Sequence, residues 1–353
     1  MIEGTADVLA AHRFDVAALE RWMRDHVERF SGSLEVSQFR GGQSNPTYYL
    51  SSRGGLAADE REYVLRRKPP GKLLPSAHAV DREYRIITAL AGTGVPVPRT
   101  YAFCADPEVI GTPFYVMDYV RGRIFRDPEL AGIAPRERAA IYDDMNDVLA
   151  RLHRVDWQAL GLADFGRPGN YYARQIHRWS SQYRASETEK IEAMERLIEW
   201  LPNNIPADDH TTLVHGDYRP GNFIVHPTEP RVAAVLDWEL CTLGHPLADL
   251  GYNCLPYRMS KEWEGLRDKD LGALGIPTED AYVAAYCRRT GRAAIADWDF
   301  YIAFAMFRLS AIAQGIMGRA IAGTANDPNA RERGNRARPL AESAWAILAP
   351  RAL

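Results

Sequence analysis

One stretch constrains this chain more than any other. His215-Gly216-Asp217-Tyr218-Arg219-Pro220-Gly221-Asn222 is entered from Leu213-Val214 and left through Phe223-Ile224-Val225. The apolar run Val232-Ala233-Ala234-Val235-Leu236 then ends on Asp237-Trp238-Glu239. Short β-branched apolar runs bounded by turn residues read as strands, so a small group of strands carries Asp217, Asn222 and Asp237 at its ends. Phosphoryl transfer needs such a set: a carboxylate to orient a hydroxyl nucleophile, and oxygen donors to hold Mg²⁺ against a polyphosphate. Mg²⁺ is a hard cation, which suits an Asn amide oxygen and an Asp carboxylate. Asp and Asn are also common in ordinary Gly-Pro turns. For Asp217 and Asn222 alone that reading stays open; Asp237 and the flanking strands favour the chemistry.

The five-residue Asp-to-Asn spacing, with a His two positions before the Asp, resembles the protein-kinase catalytic loop. Asp-Trp-Glu stands where protein kinases carry Asp-Phe-Gly. Together these motifs resemble the aminoglycoside phosphotransferase-like kinases, a branch of the protein-kinase-like fold. The resemblance implies an α+β, two-lobed protein-kinase-like fold, with a small mainly antiparallel N-lobe over residues 1–118 and a larger, mostly helical C-lobe over residues 119–353. It also implies ATP or GTP as co-substrate, Mg²⁺, Asp217 as the catalytic acid, and Asn222 and Asp237 as metal ligands. Asp249, in His245-Pro246-Leu247-Ala248-Asp249, matches an acid that anchors the catalytic loop, and His215 reads as a brace for that loop rather than a base.

In the first lobe, Phe39-Arg40-Gly41-Gly42-Gln43-Ser44-Asn45-Pro46-Thr47 lies between strand-like segments. A glycine pair lets backbone amides approach phosphates, and Ser44 and Asn45 add polar groups. A hairpin turn explains the same residues; the family resemblance favours a phosphate-covering loop. Tyr63-Val64-Leu65-Arg66 reads as the next strand, with Arg66 where kinases carry lysine. Arginine keeps the charge but differs in reach and geometry, which leaves open whether Arg66, Arg67 or Lys68 meets phosphate. Ser76 is a candidate cap for a helix through about Ala91, with Val80, Tyr84, Ile87 and Ala91 as its apolar stripe. Glu83 lies at the flank of that stripe, placed to pair with Arg66. The strand from Pro113 to Val120 exits into Arg121-Gly122 like a kinase hinge, which nominates the main-chain atoms of Asp118 and Val120 for the nucleotide base.

In the second lobe Pro135 fits the first turn of a long helix, with Ile141, Met145, Val148, Leu149 and Leu152 on its buried face and His153 as a structural histidine. Arg174 and Arg178, four apart beside Trp179, show no obvious acidic partner in the sequence and suit an anionic acceptor; a solvated helix face is the alternative. The Arg174-Gln175-x-x-x-Trp179 segment, with Leu65 to His78, is similar to the kinase-like domain fused ahead of acyl-CoA dehydrogenases in some larger proteins. That subgroup implies an anionic, acyl-CoA-like acceptor, a hydroxyacyl-CoA-type metabolite. No flavin-site pattern is present, so dehydrogenase chemistry is not expected.

The net charge of −3 over 353 residues gives no electrostatic reason to expect nucleic-acid binding. Cys104, Cys241, Cys254 and Cys287 are scattered and read as free buried thiols of a reducing compartment. The first eleven residues lack signal-peptide features. Tyr301 to Met317 is apolar but interrupted by Arg308 and Gln314, so a buried helix rather than a membrane span is expected, and with it a cytoplasmic protein. Arg331 to Arg338 reads as an exposed connection. The expected activity is transfer of the ATP or GTP γ-phosphate to a small-molecule hydroxyl. Its rivals are an aminoglycoside-modifying enzyme, whose pocket for a polycation should be acidic, and an inactive nucleotide-binding pseudokinase. Sequence does not fix the oligomeric state.

Overall fold

A computed structural model describes residues 4–40, 45–54, 61–69, 79–325 and 327–349. Gly41, Gly42 and Ser44 of the expected phosphate loop, and the candidate cap Ser76, lie outside the described residues. The chain divides into two compact units, 1–124 with 222–241 and 125–221 with 242–353. This differs from the 1–118 and 119–353 division expected from sequence.

The first unit opens with β1 (Thr5–Ala6), α1 (Val16–His26), β2 (Ser33–Phe39), β3 (Thr47–Arg53) and β4 (Glu62–Arg67). It continues through α2 (Val80–Leu90), β5 (Thr100–Cys104), α3 (Pro107–Ile110) and β6 (Phe114–Asp118). The strands form one antiparallel sheet in the order β1-β2-β3-β4-β6-β5. Asp15 starts α1 by accepting from the Ala18 N–H at 3.1 Å, and Leu19 and Met23 then join Tyr48, Tyr63 and Phe114 in the core. Alternation along β4 sends neighbouring arginines to opposite faces. Arg67 is buried on one face, donating to the Ile110 carbonyl at 3.1 Å and lying 5.3 Å from the Phe14 ring centre. Arg66 takes the other face. The buried stripe of α2 is Val80, Glu83, Ile86, Ile87 and Leu90, so Glu83 sits within the stripe rather than at its flank, and Tyr84 is only half-buried.

Past residue 124 come α4 (Pro135–His153), α5 (Tyr171–Ala185), α6 (Glu192–Asn203) and β7 (Thr212–Val214) of the second unit. The chain then returns to the first unit for the hairpin β8 (Phe223–Val225) and β9 (Val232–Val235). Two backbone bonds between Arg123 and Val225, at 2.7 and 2.9 Å, and one from Val235 to Pro96 at 2.9 Å fasten this hairpin to the first unit. That is why the hairpin groups with residues more than a hundred positions earlier. The second unit ends with β10 (Thr242–Gly244), α7 (Leu247–Arg258), α8 (Leu271–Leu274), α9 (Glu279–Thr290), α10 (Trp298–Ile321), α11 (Ala330–Gly334) and α12 (Ala337–Leu348).

Helix α10 meets the length and apolarity of a membrane span, yet 67% of that window is buried inside the structure, against α5, α7, α11 and α12. Gln314 is accommodated there by donating to the Ser186 carbonyl at 2.9 Å and to Thr188 Oγ1 at 2.6 Å. Residues 331–338 expose Arg331, Glu332, Arg333 and Asn335, as expected, but they are largely helical rather than a plain connection. They end α11 and begin α12, with Gly334 against Met317 and the Ala337 carbonyl accepting from Ser310 Oγ at 2.6 Å. All four cysteines are free and buried.

Candidate active site

In the first unit, the β8–β9 hairpin sets the positions of two candidate metal ligands. Phe223 pairs with Val235, and the Leu236 N–H donates to the Asn222 carbonyl at 2.8 Å. Asn222 therefore precedes β8 at the end of the hairpin where Asp237 follows β9. Asp237 adopts φ 64° and ψ 57°, a left-handed conformation uncommon outside glycine and concentrated at functional positions. Trp238 fixes the following turn: it is buried and donates Nε1–H to the Val235 carbonyl at 2.9 Å.

Arg66 meets this hairpin. Its Nη2 donates to Asp237 Oδ1 at 2.7 Å and lies 3.6 Å from Glu239 Oε2, while its Nε lies 2.9 Å from Glu83 Oε2. The Nε and Oε2 atoms are close without an aligned hydrogen bond, so this contact is chiefly one of charge. Burial pushes the Glu83 carboxyl up to about 7, with Arg66 opposing and Asp237 and Glu239 adding to the rise. The expected Arg66–Glu83 pair is thus present geometrically, and Arg66 rather than Arg67 joins the acids. Glu239, two residues past Asp237, is a member that sequence reasoning quoted but did not nominate.

The fit for Mg²⁺ rests on donor chemistry. Asp237 and Asn222 offer hard oxygens, and Mg²⁺ characteristically takes one or two protein ligands, leaving other positions to phosphate oxygens and water.

One nomination nearby is narrowed. The Asp118 N–H is committed to the Arg99 carbonyl at 2.8 Å, and its side chain accepts from Tyr101, so that amide is used within the first unit's sheet. Val120 lies just beyond β6, half-buried. Asn45 is 1% exposed, and among the described residues neither polar atom of its amide has a hydrogen-bond partner. Such a buried orphan is uncommon in a folded protein.

In the second unit, antiparallel β7 and β10 carry the catalytic loop and the start of α7. Asp249, in the first turn of α7, accepts from the His215 N–H at 2.6 Å and the Gly216 N–H at 2.8 Å. Its Oδ2 is also 3.4 Å from His153 Nε2. Burial raises the Asp249 carboxyl, but His153, His215 and the Gly216 amide together hold it below its ordinary value. His153 also contacts the Tyr286 hydroxyl at 2.7 Å, the structural role expected of it. Gly216 has φ 86°, a backbone conformation that favours glycine. The His215 ring accepts the Asp217 N–H at 3.1 Å, bracing the loop from within.

Asp217 is engaged by two side chains. Tyr252 on α7 donates its hydroxyl to Oδ1 at 2.6 Å, and Arg219 Nε lies 3.2 Å from both carboxylate oxygens. Burial first, and the Asp217 carboxylate second, raise the Tyr252 phenol, so it stays a donor. Neither residue was nominated from sequence; the i+3 position of Tyr252 after Asp249 places it on α7 but gives no sign of its partner.

The Arg174 and Arg178 expectation is redistributed. Arg174 donates to the Gly169 and Arg167 carbonyls, the latter at 2.6 Å, so it secures the loop before α5. Arg178 is exposed and stacks over Trp179 at 5.3 Å. Trp179 is oriented by Gln175, which accepts its indole N–H at 3.2 Å. Its second cation is Arg308 of α10, 5.6 Å away, a residue the sequence marked only as a polar interruption in an apolar helix. A cavity of about 660 Å³ is lined by Trp179 of α5 and by Ala311, Gly315 and Gly318 of α10.

Comparison with known proteins gives the family. Residues 35–301 match the family model described as phosphotransferase enzyme family. The chain is 49% identical over 332 residues to mouse acyl-CoA dehydrogenase family member 10, covering 93% of this chain and 30% of that protein. It therefore spans under a third of that relative's length. A crystal structure from Ralstonia eutropha, named as a candidate aminoglycoside phosphotransferase, is 52% identical with a TM-score of 0.88, covering 96% of this chain and 99% of that one. An aminoglycoside phosphotransferase solved with AMP-PNP and hygromycin B shares the fold at 16% identity and TM-score 0.58, covering 92% and 98%.

Proposed function

Because the chain belongs to the phosphotransferase enzyme family, we propose that it transfers the γ-phosphate of ATP or GTP, with Mg²⁺, to the hydroxyl of a small anionic metabolite. That it is a phosphotransferase with an alcohol group as acceptor follows from the family; nucleotide, metal and acceptor are the proposal. The observation that carries it is the Arg66 cluster. A strand arginine, a buried helix carboxylate and a left-handed aspartate, 171 residues from the arginine, come within ion-pair distance in one unit. A single arginine facing three carboxylates leaves negative charge that suits a divalent cation.

In this reading Arg66 turns from Asp237 toward phosphate oxygens, and Asn222 and Asp237 hold the metal. The metal would supply charge neutralisation on the phosphates. Asp217 orients the acceptor hydroxyl and takes its proton, with Tyr252 and Arg219 fixing the carboxylate. Asn45 beside the glycine pair, and Val120 beyond β6, remain assigned to nucleotide. For the acceptor, a hydroxyacyl-CoA-type metabolite draws support from the relative's name. The cations Arg178 and Arg308 at Trp179 are ill suited to a polycationic antibiotic.

The test is labelled ATP or GTP with Mg²⁺ against hydroxyacyl-CoAs, aminoglycosides, choline and sugars, with Asp217→Asn alongside. Product with one acceptor class, lost in the variant and on chelation, is expected. Nucleotide binding with no transfer to any acceptor would overturn the reading in favour of a binding protein.

A further inference from the structure

Arg308 is the least satisfied cation in the second unit's site. It sits half-buried in the apolar helix α10, and its Nη2 donates to the Gly216 carbonyl, next to Asp217, at 2.8 Å. Its guanidinium is held between two aromatic faces, Trp179 at 5.6 Å and Tyr252 at 5.5 Å. Its Nε is buried with no hydrogen-bond partner, and among the described residues no ion pair neutralises it. Every other arginine considered in this unit's site is accounted for: Arg174 by loop carbonyls, Arg219 by Asp217, and Arg178 by exposure to solvent.

An arginine offers five N–H donors in a fixed fork. One carbonyl and two ring faces leave the buried Nε unanswered, and cation–π contacts contribute only about 0.5–2 kcal/mol each. Withdrawing a charged group from water without a counter-charge is unfavourable. A ligand oxygen would complete the shell. The contacts also give direction. Tyr252 touches both the Arg308 face and Asp217 Oδ1, so Arg308 and Asp217 neighbour the same side chain.

We propose that Arg308, clamped between Trp179 and Tyr252, is the residue that reads the acceptor, binding an electron-rich oxygen carried close to the hydroxyl that is phosphorylated. This rests on the phosphotransferase reading above and adds the acceptor's second recognition element. A carboxylate or a thioester carbonyl has the required chemistry. The Gln175–Trp179 contact then has a purpose: it orients the ring that orients the arginine.

The experiment measures phosphate transfer from Mg-ATP to the hydroxybutyrate isomers, their pantetheine thioesters and the matching butanediols, in which a neutral alcohol replaces the carboxylate or thioester carbonyl. It compares wild type with Arg308→Lys and Arg308→Gln, each verified as folded by its thermal melt. The readout is the ratio of kcat/KM for an acid or thioester to that for its diol. A fall in that ratio of about tenfold or more in Arg308→Gln, and a smaller fall in Arg308→Lys, is expected from loss of a charge-assisted, forked contact. Whether the acid or the thioester carries the ratio identifies the oxygen. A ratio unchanged within about twofold, with all acceptors slowed alike, would show that Arg308 only supports Gly216 and would overturn the proposal. If wild type phosphorylates none of them, calorimetric binding of the same thioesters decides separately. Affinity reduced about tenfold in Arg308→Gln upholds the oxygen site while the choice of reaction falls; equal affinity, or none in wild type, overturns it.

Discussion

Arg66 donates to the Asp237 carboxylate at 2.7 Å while its other edge faces Glu83 at 2.9 Å. The cation proposed for phosphate and the acid proposed for metal thus neutralise each other without ligand, and binding exchanges that pair for phosphate and metal contacts. Arg66→Lys should raise the KM for nucleotide about five- to tenfold, because a lysine cannot reach Asp237 and Glu83 together. Arg66→Ala should raise it further. Nucleotide titration by calorimetry checks both; an unchanged affinity in Arg66→Ala would remove Arg66 from the phosphate site.

Asp217 and Tyr252 separate chemistry from support. Asp217→Asn should reduce kcat by at least about a hundredfold while the melting temperature stays close to wild type, since the carboxylate is 20% exposed and bears no core packing. Tyr252→Phe keeps the ring under Arg308 but removes the 2.6 Å bond to Asp217. Its kcat should fall about three- to tenfold, below the full worth of a hydrogen bond to a charged group, with KM for nucleotide unchanged. Steady-state kinetics on the two variants provide the comparison.

Glu83 gives a pH signature. Burial raises its carboxyl to about 7 in the folded protein, against about 4.3 in an unfolded chain. A raised value means its contribution is fully present below about pH 4 and is lost as pH rises through 7. Stability of wild type relative to Glu83→Gln should therefore decline between about pH 5 and pH 8. Chemical denaturation at several pH values measures this; a gap that is constant or widens would show that the Arg66 ion pair keeps Glu83 charged throughout.

Asp249 should behave in the opposite sense. Its folded value is depressed, so its stabilising contribution is present above about pH 4 and lost as pH falls through the folded value. Asp249→Asn places an amide against the His215 and Gly216 N–H groups and should cost about 2–4 kcal/mol at neutral pH. The difference from wild type should shrink in acid. Equal stability of the two proteins at neutral pH would contradict the role of Asp249 as the loop's anchor.

Much of this site was legible in one dimension. The strands around residues 213–237, the Asp217, Asn222 and Asp237 set, Arg66 on its strand and Glu83 on its helix follow from local pattern and motif, while the anchoring role of Asp249 came from the family resemblance alone. Short apolar runs, turn residues and 3.6-residue spacing act over a few neighbours, so sequence carries them. The family match and the Ralstonia structure agree with the fold read this way.

Tertiary structure decided which side chains answer one another. Arg174 and Arg178 looked equivalent four apart on α5, yet one is bound to loop carbonyls and the other to solvent and Trp179. Arg308 and Gln314 looked like equivalent interruptions of α10, yet Gln314 is satisfied by Ser186 and Thr188 and Arg308 is not. Tyr252 became a partner of Asp217 only because β7, β10 and α7 converge. Periodicity specifies the face of a helix on which a residue stands. The partner of a buried charge or hydroxyl comes from segments far away in the chain, and only packing brings them within the three ångströms at which polar atoms act.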